Sequence, residues 1–398
     1  MTSTTSTTST TRTTSTRGAR RWSRPLSGVL LGSLFLALFL ALPGDPVRVG
    51  AGGAARTLPT ASTASTALTS YAGSTAVTDG ASALRVGISP GFELLDLPTK
   101  RLRADLRSAR ALGAQQLRVD VSWARIQPRK KGGYHWADTD RVLAAADAAG
   151  LDVLAVVGYR PRWGSRPNGA VKPAGFARFV AAAAKRYRDE IDAWELWNEP
   201  NQRLFWIAKP SPAGYARLVE ATAPGIRRHD PGAPILIGAL APAVDARNGR
   251  EISPLSFLQG VYRSGLDRDA FDAVSVHPYS YPALPSGDQP WNTFHRLEDL
   301  HAIMRRAGDG AKGIWLTEYG APTGTSDRAV SAKRHRRMLV SAHREARSLD
   351  FVHHLFYYSL RDSSSRRDDP ESNFGFLKAR GKAKPAYAAV RRELRKGH

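Results

Sequence analysis

From Leu84 onward, short apolar runs alternate with longer amphipathic stretches, and this alternation limits the possible folds more than any other feature of the chain. Strand-like runs begin near Leu84 (LRVGI), Gln116 (QLRVDV), Asp152 (DVLAVVG), Ile191 (IDAWELW), Pro234 (PILIGA), Phe271 (FDAVSV), Gly313 (GIWLT) and Phe351 (FVHHLFYYS). Helical patterns lie between them, over 142–149, 174–187, 213–228 and 329–347. Such alternation is the signature of a parallel α/β sheet. Eight units in this length predict a (β/α)8 TIM barrel, typically about 250 residues plus insertions. An open doubly wound sheet is the alternative, but it usually shows a glycine-rich phosphate turn after its first strand. Ser89-Pro90-Gly91-Phe92 is not such a turn. A basic amphipathic pattern over 384–395 closes the last unit, and no accessory module is expected after it.

The barrel is expected over 83–398, and what precedes it reads as an address. Residues 1–25 form a Ser/Thr- and Arg-rich tail that cannot build a core and is expected to be disordered. Arginines 17, 20, 21 and 24 then precede an apolar, charge-free run over 26–42, LSGVLLGSLFLALFLAL. A basic flank before an apolar stretch is the arrangement of an export signal, and its length also reaches the short edge of a membrane anchor. Cleavage near 53–55 would give a secreted enzyme; retention would leave an anchor with its arginine end inside. Either outcome puts the barrel outside the cell. Residues 43–82, rich in Ala, Ser, Thr and Gly, read as a flexible linker.

The 398 residues contain no cysteine, which suits export and excludes disulfides and thiolate metal sites. Formal charge is +23. The first 81 residues hold seven arginines and two acids, so the remainder still carries +18. A domain this cationic attracts polyanions, acidic polysaccharide among them, although solvated surface arginine explains the same number. The nine tryptophans suit sugar stacking and ordinary packing equally.

In a (β/α)8 barrel the chemistry collects where strands end and the following loops begin. Strand four ends Trp194-Glu195-Leu196-Trp197-Asn198-Glu199-Pro200-Asn201, strand seven Trp315-Leu316-Thr317-Glu318-Tyr319-Gly320, and strand six Ser275-Val276-His277-Pro278-Tyr279. Strand two carries Arg118, Asp120 and Trp123. Two glutamates at facing strand ends suit glycosidic cleavage, in which one group protonates the leaving oxygen while another attacks or stabilises an oxocarbenium-like centre. Carboxyls about 5–5.5 Å apart would make the enzyme retaining.

These motifs resemble the retaining (β/α)8 glycosidases of the large clan A, and Glu195 through Asn201 with Phe205-Trp206 is most similar to glycoside hydrolase family 39. The resemblance covers nearly the whole of 84–387. It implies Glu199 as acid/base and Glu318 as nucleophile. It also implies Asn198 on the sugar 2-hydroxyl, Arg118 and Tyr279 on Glu318, His277 against the sugar or bracing the site, and Tyr358 under the bound sugar. Tyr358 stands where the clan usually has a tryptophan. Trp163, after strand three, is a candidate sugar platform; Trp206 and Trp291 are weaker ones.

Glu195 reads as a buried partner for an arginine, and Asp120 as a polar neighbour of Arg118. Adjacent strand residues face opposite ways, so His353 and His354 cannot chelate one ion. His301 and His343 are read as surface residues. No metal or cofactor is required, and a monomer is expected.

Family 39 xylosidases and iduronidases usually carry a β-sandwich beside the barrel, for which this chain has no room. The expected activity is therefore endo-acting hydrolysis of an extracellular or cell-wall polysaccharide by double displacement. The alternatives are a non-catalytic barrel tethering matrix polysaccharide and an exo-acting β-xylosidase-like enzyme. Nucleic-acid binding rests on charge alone, with no reader motif.

Overall fold

The computed structural model describes residues 1–2, 84–166, 169–206 and 209–396. The apolar run and the linker, with all but the first two residues of the tail, lie outside the described residues. Eight strands form a closed barrel in chain order, every neighbour parallel. They are β1 (Arg85–Ile88), β2 (Gln116–Ser122), β3 (Asp152–Gly158), β4 (Ala193–Leu196), β5 (Ile235–Leu240), β6 (Ala273–Val276), β7 (Ile314–Tyr319) and β8 (Val352–Tyr357). One long helix follows each strand: α1 (Thr99–Leu112), α2 (Ala137–Asp147), α3 (Pro173–Tyr187), α4 (Pro212–His229), α5 (Pro254–Arg263), α6 (Leu297–Arg306), α7 (Ala332–Arg347) and α8 (Pro385–Leu394). The expected (β/α)8 barrel is present. Among the described residues no helix is long and apolar enough to cross a membrane.

Element ends moved from the expected positions for local reasons. β4 starts at Ala193 because Asp192 turns aside, its Oδ2 accepting the Val153 N–H at 2.6 Å. α7 starts at Ala332 because the Ser331 side chain accepts from Arg334 N and caps the helix.

Period-two alternation sorts each strand. On β2, Leu117, Val119 and Val121 join the large apolar core with the helices. Gln116, Arg118 and Asp120 alternate with them, all buried. The floor of the interior is an apolar layer of Leu154, Ala193, Leu236, Ala273, Trp315 and Phe356. Gly87 on β1 makes room for it, since a Cβ there would collide with the Phe356 ring. His354 stacks on Trp315 with ring centroids 3.3 Å apart, and its Nδ1 lies 2.7 Å from Gln116 Oε1. Burial, with Arg85 nearby, pushes its pKa down to about 2. His353 is only half-buried.

Two expected surface histidines are buried instead. His301 stacks on Phe351 at 4.2 Å, and its Nε2 lies 3.0 Å from the Gly310 carbonyl. His343 shares the inner stripe of α7 with Met338, Leu339, Ala342 and Ala346. Helical spacing puts each histidine on the apolar face of its helix, so the stripe and not the polar residue type decides its burial.

Candidate active site

The mouth of the barrel is shaped by backbone that departs from strand geometry. Among the described residues, the non-glycine residues with positive φ are Tyr159 (57°), Trp197 (74°), Glu199 (47°) and Ala239 (45°). They stand just past the ends of β3 and β4 and inside the end of β5. Such conformations cost of order 1–3 kcal/mol each and persist only where the surroundings over-determine them. Here Glu199 N–H donates to the Ala239 carbonyl at 3.2 Å. Asn201 Nδ2 donates to the carbonyls of Ala241 and Ile252 at 2.8 and 2.9 Å, while its Oδ1 accepts from Ala241 N at 3.0 Å. Trp197 is held edge-on between Phe176 and Trp206, each 5.4 Å away. The turn that carries Glu199 is therefore clamped on both sides.

Arg118 organises the interior. Its Nε donates to Glu195 Oε2 at 2.6 Å, Nη1 to Glu318 Oε1 at 2.5 Å and Nη2 to Asn198 Oδ1 at 2.8 Å. Glu195 is fully buried and serves the arginine from one layer down, as expected. Glu318 accepts on its other oxygen from Tyr279 Oη at 2.8 Å. His277 Nδ1 lies 2.8 Å from Glu199 Oε1 and 3.5 Å from Glu318 Oε2. One oxygen from each of Glu199 and Glu318 and a ring nitrogen of His277 all lie within 4.8 Å of one another. That approach is close to the spacing of retaining pairs and short of the roughly 6.5–9.5 Å that inversion needs.

The two carboxyls have unequal surroundings. Burial holds Glu199 well above the usual carboxylate range; the charge of Glu318 adds to this, Arg118 opposes it, and Glu371 adds a smaller push. Glu199 Oε2 is buried with no protein partner. Burial also raises Glu318, but Arg118 and the Tyr279 hydrogen bond pull it back. His277 is pushed well below its ordinary value by burial and by Arg118, so it is neutral. Asp120 bonds to the Tyr159 hydroxyl and lies in the field of Arg118.

The triad of Glu199, His277 and Glu318 is also close enough to hold a cation. The donors argue against one: Arg118 and Tyr279 already occupy both oxygens of Glu318, and an ion there would face the guanidinium.

Tyr358 stands half-buried beside Tyr279, ring centroids 6.3 Å apart, and against Phe374 at 5.2 Å. Trp163 is not brought to the carboxyls. It packs edge-on against Trp123 at 5.0 Å and donates Nε1–H to the Gln127 carbonyl at 3.1 Å. Trp206 is buried between Trp197 and Tyr215. Trp291 lines a separate cavity with Leu284, Gln289 and Arg334.

Glu371 joins the site from a segment without a motif. It stands half-buried in the short 3-10 turn Pro370–Asn373, inside the long 358–384 connection after β8. Burial first, then the charge of Glu318, pushes its carboxyl up to about 8. The run Asp368-Asp369-Pro370-Glu371, on the mouth side of the last strand, was the available signal. Ser89 Oγ, 3.4 Å from Glu318 Oε1, was noted only as part of a turn.

An eightfold parallel barrel with a close glutamate pair at the ends of β4 and β7 is the architecture of glycoside hydrolases of the clan A type, a class that retains anomeric configuration. The chain belongs to glycosyl hydrolase family 5, whose cellulase model matches residues 86–352. None of the curated proteins matches. Among solved structures, a family 39 glycoside hydrolase from the gut symbiont Bacteroides cellulosilyticus WH2 is similar at 22% identity and a TM-score of 0.63, over 79% of this chain and 64% of that one. This chain thus spans less than two thirds of that relative. A GH5_18 protein from Streptomyces cattleya, solved with GlcNAc, is similar at 19% identity and a TM-score of 0.63, over 80% and 81%. A monomeric β-xylosidase from Caulobacter crescentus CB15 follows at 21% and 0.57, over 78% and 67%. At these identities the likeness is one of fold.

Proposed function

We propose that the chain cleaves O-glycosidic bonds within an extracellular or cell-wall polysaccharide by double displacement, with Glu199 as acid/base and Glu318 as nucleophile. The observation that carries this reading is the close carboxyl pair in unequal environments. Glu199, held neutral by burial, gives its proton to the glycosidic oxygen as Glu318 attacks the anomeric carbon. The leaving alcohol departs and an ester joins sugar and Glu318. Glu199, now a carboxylate, takes a proton from water, which attacks the same carbon and frees Glu318. Arg118 and Tyr279 fix the attacking carboxylate and hold its charge in the resting state. His277 braces Glu199. Arg118 donates to the Asn198 oxygen, which leaves the amide nitrogen to meet the sugar, and Tyr358 offers a ring face beside the pair.

Endo action is proposed for a mouth whose connections after β1, β5 and β7 are short, spanning 89–98, 241–253 and 320–331, with the long ones, 277–296 and 358–384, after β6 and β8; the product pattern tests it. An export location is supported by the basic flank and apolar run over 26–42, and is tested by fractionating cells that make the full chain.

The test of the activity is hydrolysis of natural polysaccharides and aryl β-glycosides, with Glu199→Gln and Glu318→Gln beside the parent. Activity lost in both variants is expected, with oligomers of several lengths as early products. Release of single sugars alone would favour exo action of the kind named in the β-xylosidase relative. Glycan binding without any turnover, equal in all three proteins, would favour the non-catalytic reading.

A further inference from the structure

The charge of the barrel is unevenly placed on its outer wall. α8 packs between α7 and α1. Tyr387 Oη donates to the Ser108 carbonyl at 2.9 Å on one side, and Glu393 takes a forked bond from Arg344 at 2.6 and 2.8 Å on the other. On these three helices every exposed charged side chain is cationic. Their carboxylates are withdrawn: Asp105 is buried between Arg101 and Arg361, Glu345 accepts from Ser341, and Glu393 is taken by Arg344. Arg103, Arg107 and Arg110 form a stripe along α1, and Arg336 and Arg337 on α7 and Arg392 on α8 continue it, all exposed and without an ion pair among the described residues. By contrast, α6 exposes Glu298 and Asp299 alongside Arg305 and Arg306, α4 exposes Glu220 and α2 Asp147. α3 and α5 also expose only cations, but these are few: Arg178 and Lys185, with Arg186 paired to Asp140, on α3 and Arg263 on α5.

Two features narrow the partner. The wall is arginine-rich, and the guanidinium fork matches carboxylates and phosphates in a way a lysine does not. It also has no exposed large apolar side chain, since among the described residues those are Met1, Tyr134 and Val244. It therefore lacks an anchor for a bilayer and a stacking platform for unpaired bases. α7, with 16 residues, is about 24 Å long, enough to face several repeats of a polymer. The reacting centre differs: Glu195 and Glu318 take up the guanidinium of Arg118, and the charge of Glu318 bears on both Glu199 and Glu371.

We propose that the wall formed by α1, α8 and α7 is a docking surface for an anionic polysaccharide, separate from the barrel mouth that holds the carboxyl pair. The cationic excess then holds the enzyme in an acidic matrix and does not select the sugar that is cleaved. This goes beyond the catalytic reading and does not depend on it.

The test is binding of the full chain to immobilised polygalacturonate at low salt, with dextran as the neutral control. Arg103, Arg107, Arg110, Arg336, Arg337 and Arg392 are changed together to Gln, and a second variant loses six exposed cations from α3 to α6, Arg178, Arg217 and Arg263 among them. The wall variant is expected to bind about a hundredfold more weakly, while the second stays within about threefold of the parent. Thermal unfolding reports whether each variant folds, so an inactive parent leaves the test intact. Equal losses in the two variants would overturn the proposal, showing that net charge and not this wall binds the polymer. Binding of duplex DNA or phosphatidylserine vesicles more tightly than polygalacturonate would overturn the choice of partner.

Discussion

At the floor of the barrel, Leu154, Leu236 and Phe356 fill the interior with apolar atoms; on the neighbouring strands Arg118, paired in register with Leu154, and Glu195, paired with Leu236, fill it with buried charge. The same β-strand pleat delivers both layers. At the floor, backbone and side chains agree, and packing is the whole contribution. At the mouth, Trp197 and Glu199 adopt left-handed backbone, and buried atoms such as Glu199 Oε2 and His277 Nε2 are left without partners. The contrast teaches where stability is made and where it is given up. The mouth holds polar groups ready for a substrate that will supply the missing partners, and the floor makes that tolerable.

Substitutions can break or sharpen this contrast. The largest effect is expected from Glu318→Gln, which removes the attacking group and lowers kcat by about 10⁵-fold. Glu199→Gln should cost about 10²–10⁴-fold, and less with aryl leaving groups that need no proton. The same variants should be no less stable than the parent, which separates chemistry from folding. Steady-state kinetics and urea melts on one preparation check both statements.

Next come two changes of similar thermodynamic size and different meaning. Phe356→Ala should destabilise by about 3–5 kcal/mol while the folded fraction keeps its kcat. Arg118→Met should also lose about 3–5 kcal/mol, because Glu195 stays buried without its partner, and it should lose activity as well. If Arg118→Met retained full kcat, the mouth would not depend on that guanidinium.

A pH series gives a smaller effect with a definite sign. Glu199 has a raised pKa in the folded protein, so the unfolded chain releases that proton first. Its burial therefore costs nothing below the usual carboxylate range and progressively more as pH rises toward its folded value. Glu199→Gln should accordingly be more stable than the parent at neutral pH and indistinguishable from it in acid, as thermal melts at several pH values will show. Activity should fall as pH rises through the folded pKa of Glu199 and as it falls through that of Glu318.

The smallest effect concerns Glu371, raised to about 8. Glu371→Gln removes a carboxyl that, once ionised above about pH 8, raises Glu199, so the basic limb of the kcat/KM profile should move to lower pH by about half a unit or less while the acidic limb stays. A basic limb that does not move would place Glu371 outside the field of Glu199.

Much of this contrast was legible in the sequence, for identifiable reasons. The strands announce themselves by apolar runs, and Glu199, Glu318, Arg118, His277 and Tyr279 sit at strand ends where period two and barrel closure decide their direction. Glu195 followed from the same period. His301 and His343 were misjudged because burial on a helix depends on which stripe faces the sheet, and a polar residue type obscures that. Glu371 escaped because it lies in a long connection, where no periodicity relates a residue to the mouth. Trp163 showed the limit of residue type: an indole after a strand can pack on Trp123 as readily as it can face a sugar.

The measurement that tests the central claim most directly is the stereochemistry of azide rescue with an activated aryl glycoside of whichever sugar the enzyme accepts. In Glu199→Ala, azide should attack the glycosyl-enzyme from the vacated side and give a glycosyl azide of retained configuration. In Glu318→Ala, azide should take the place of the missing nucleophile and give the inverted one. The same configuration from both variants, or rescue in neither with the parent active, would contradict the assignment of the two carboxyls.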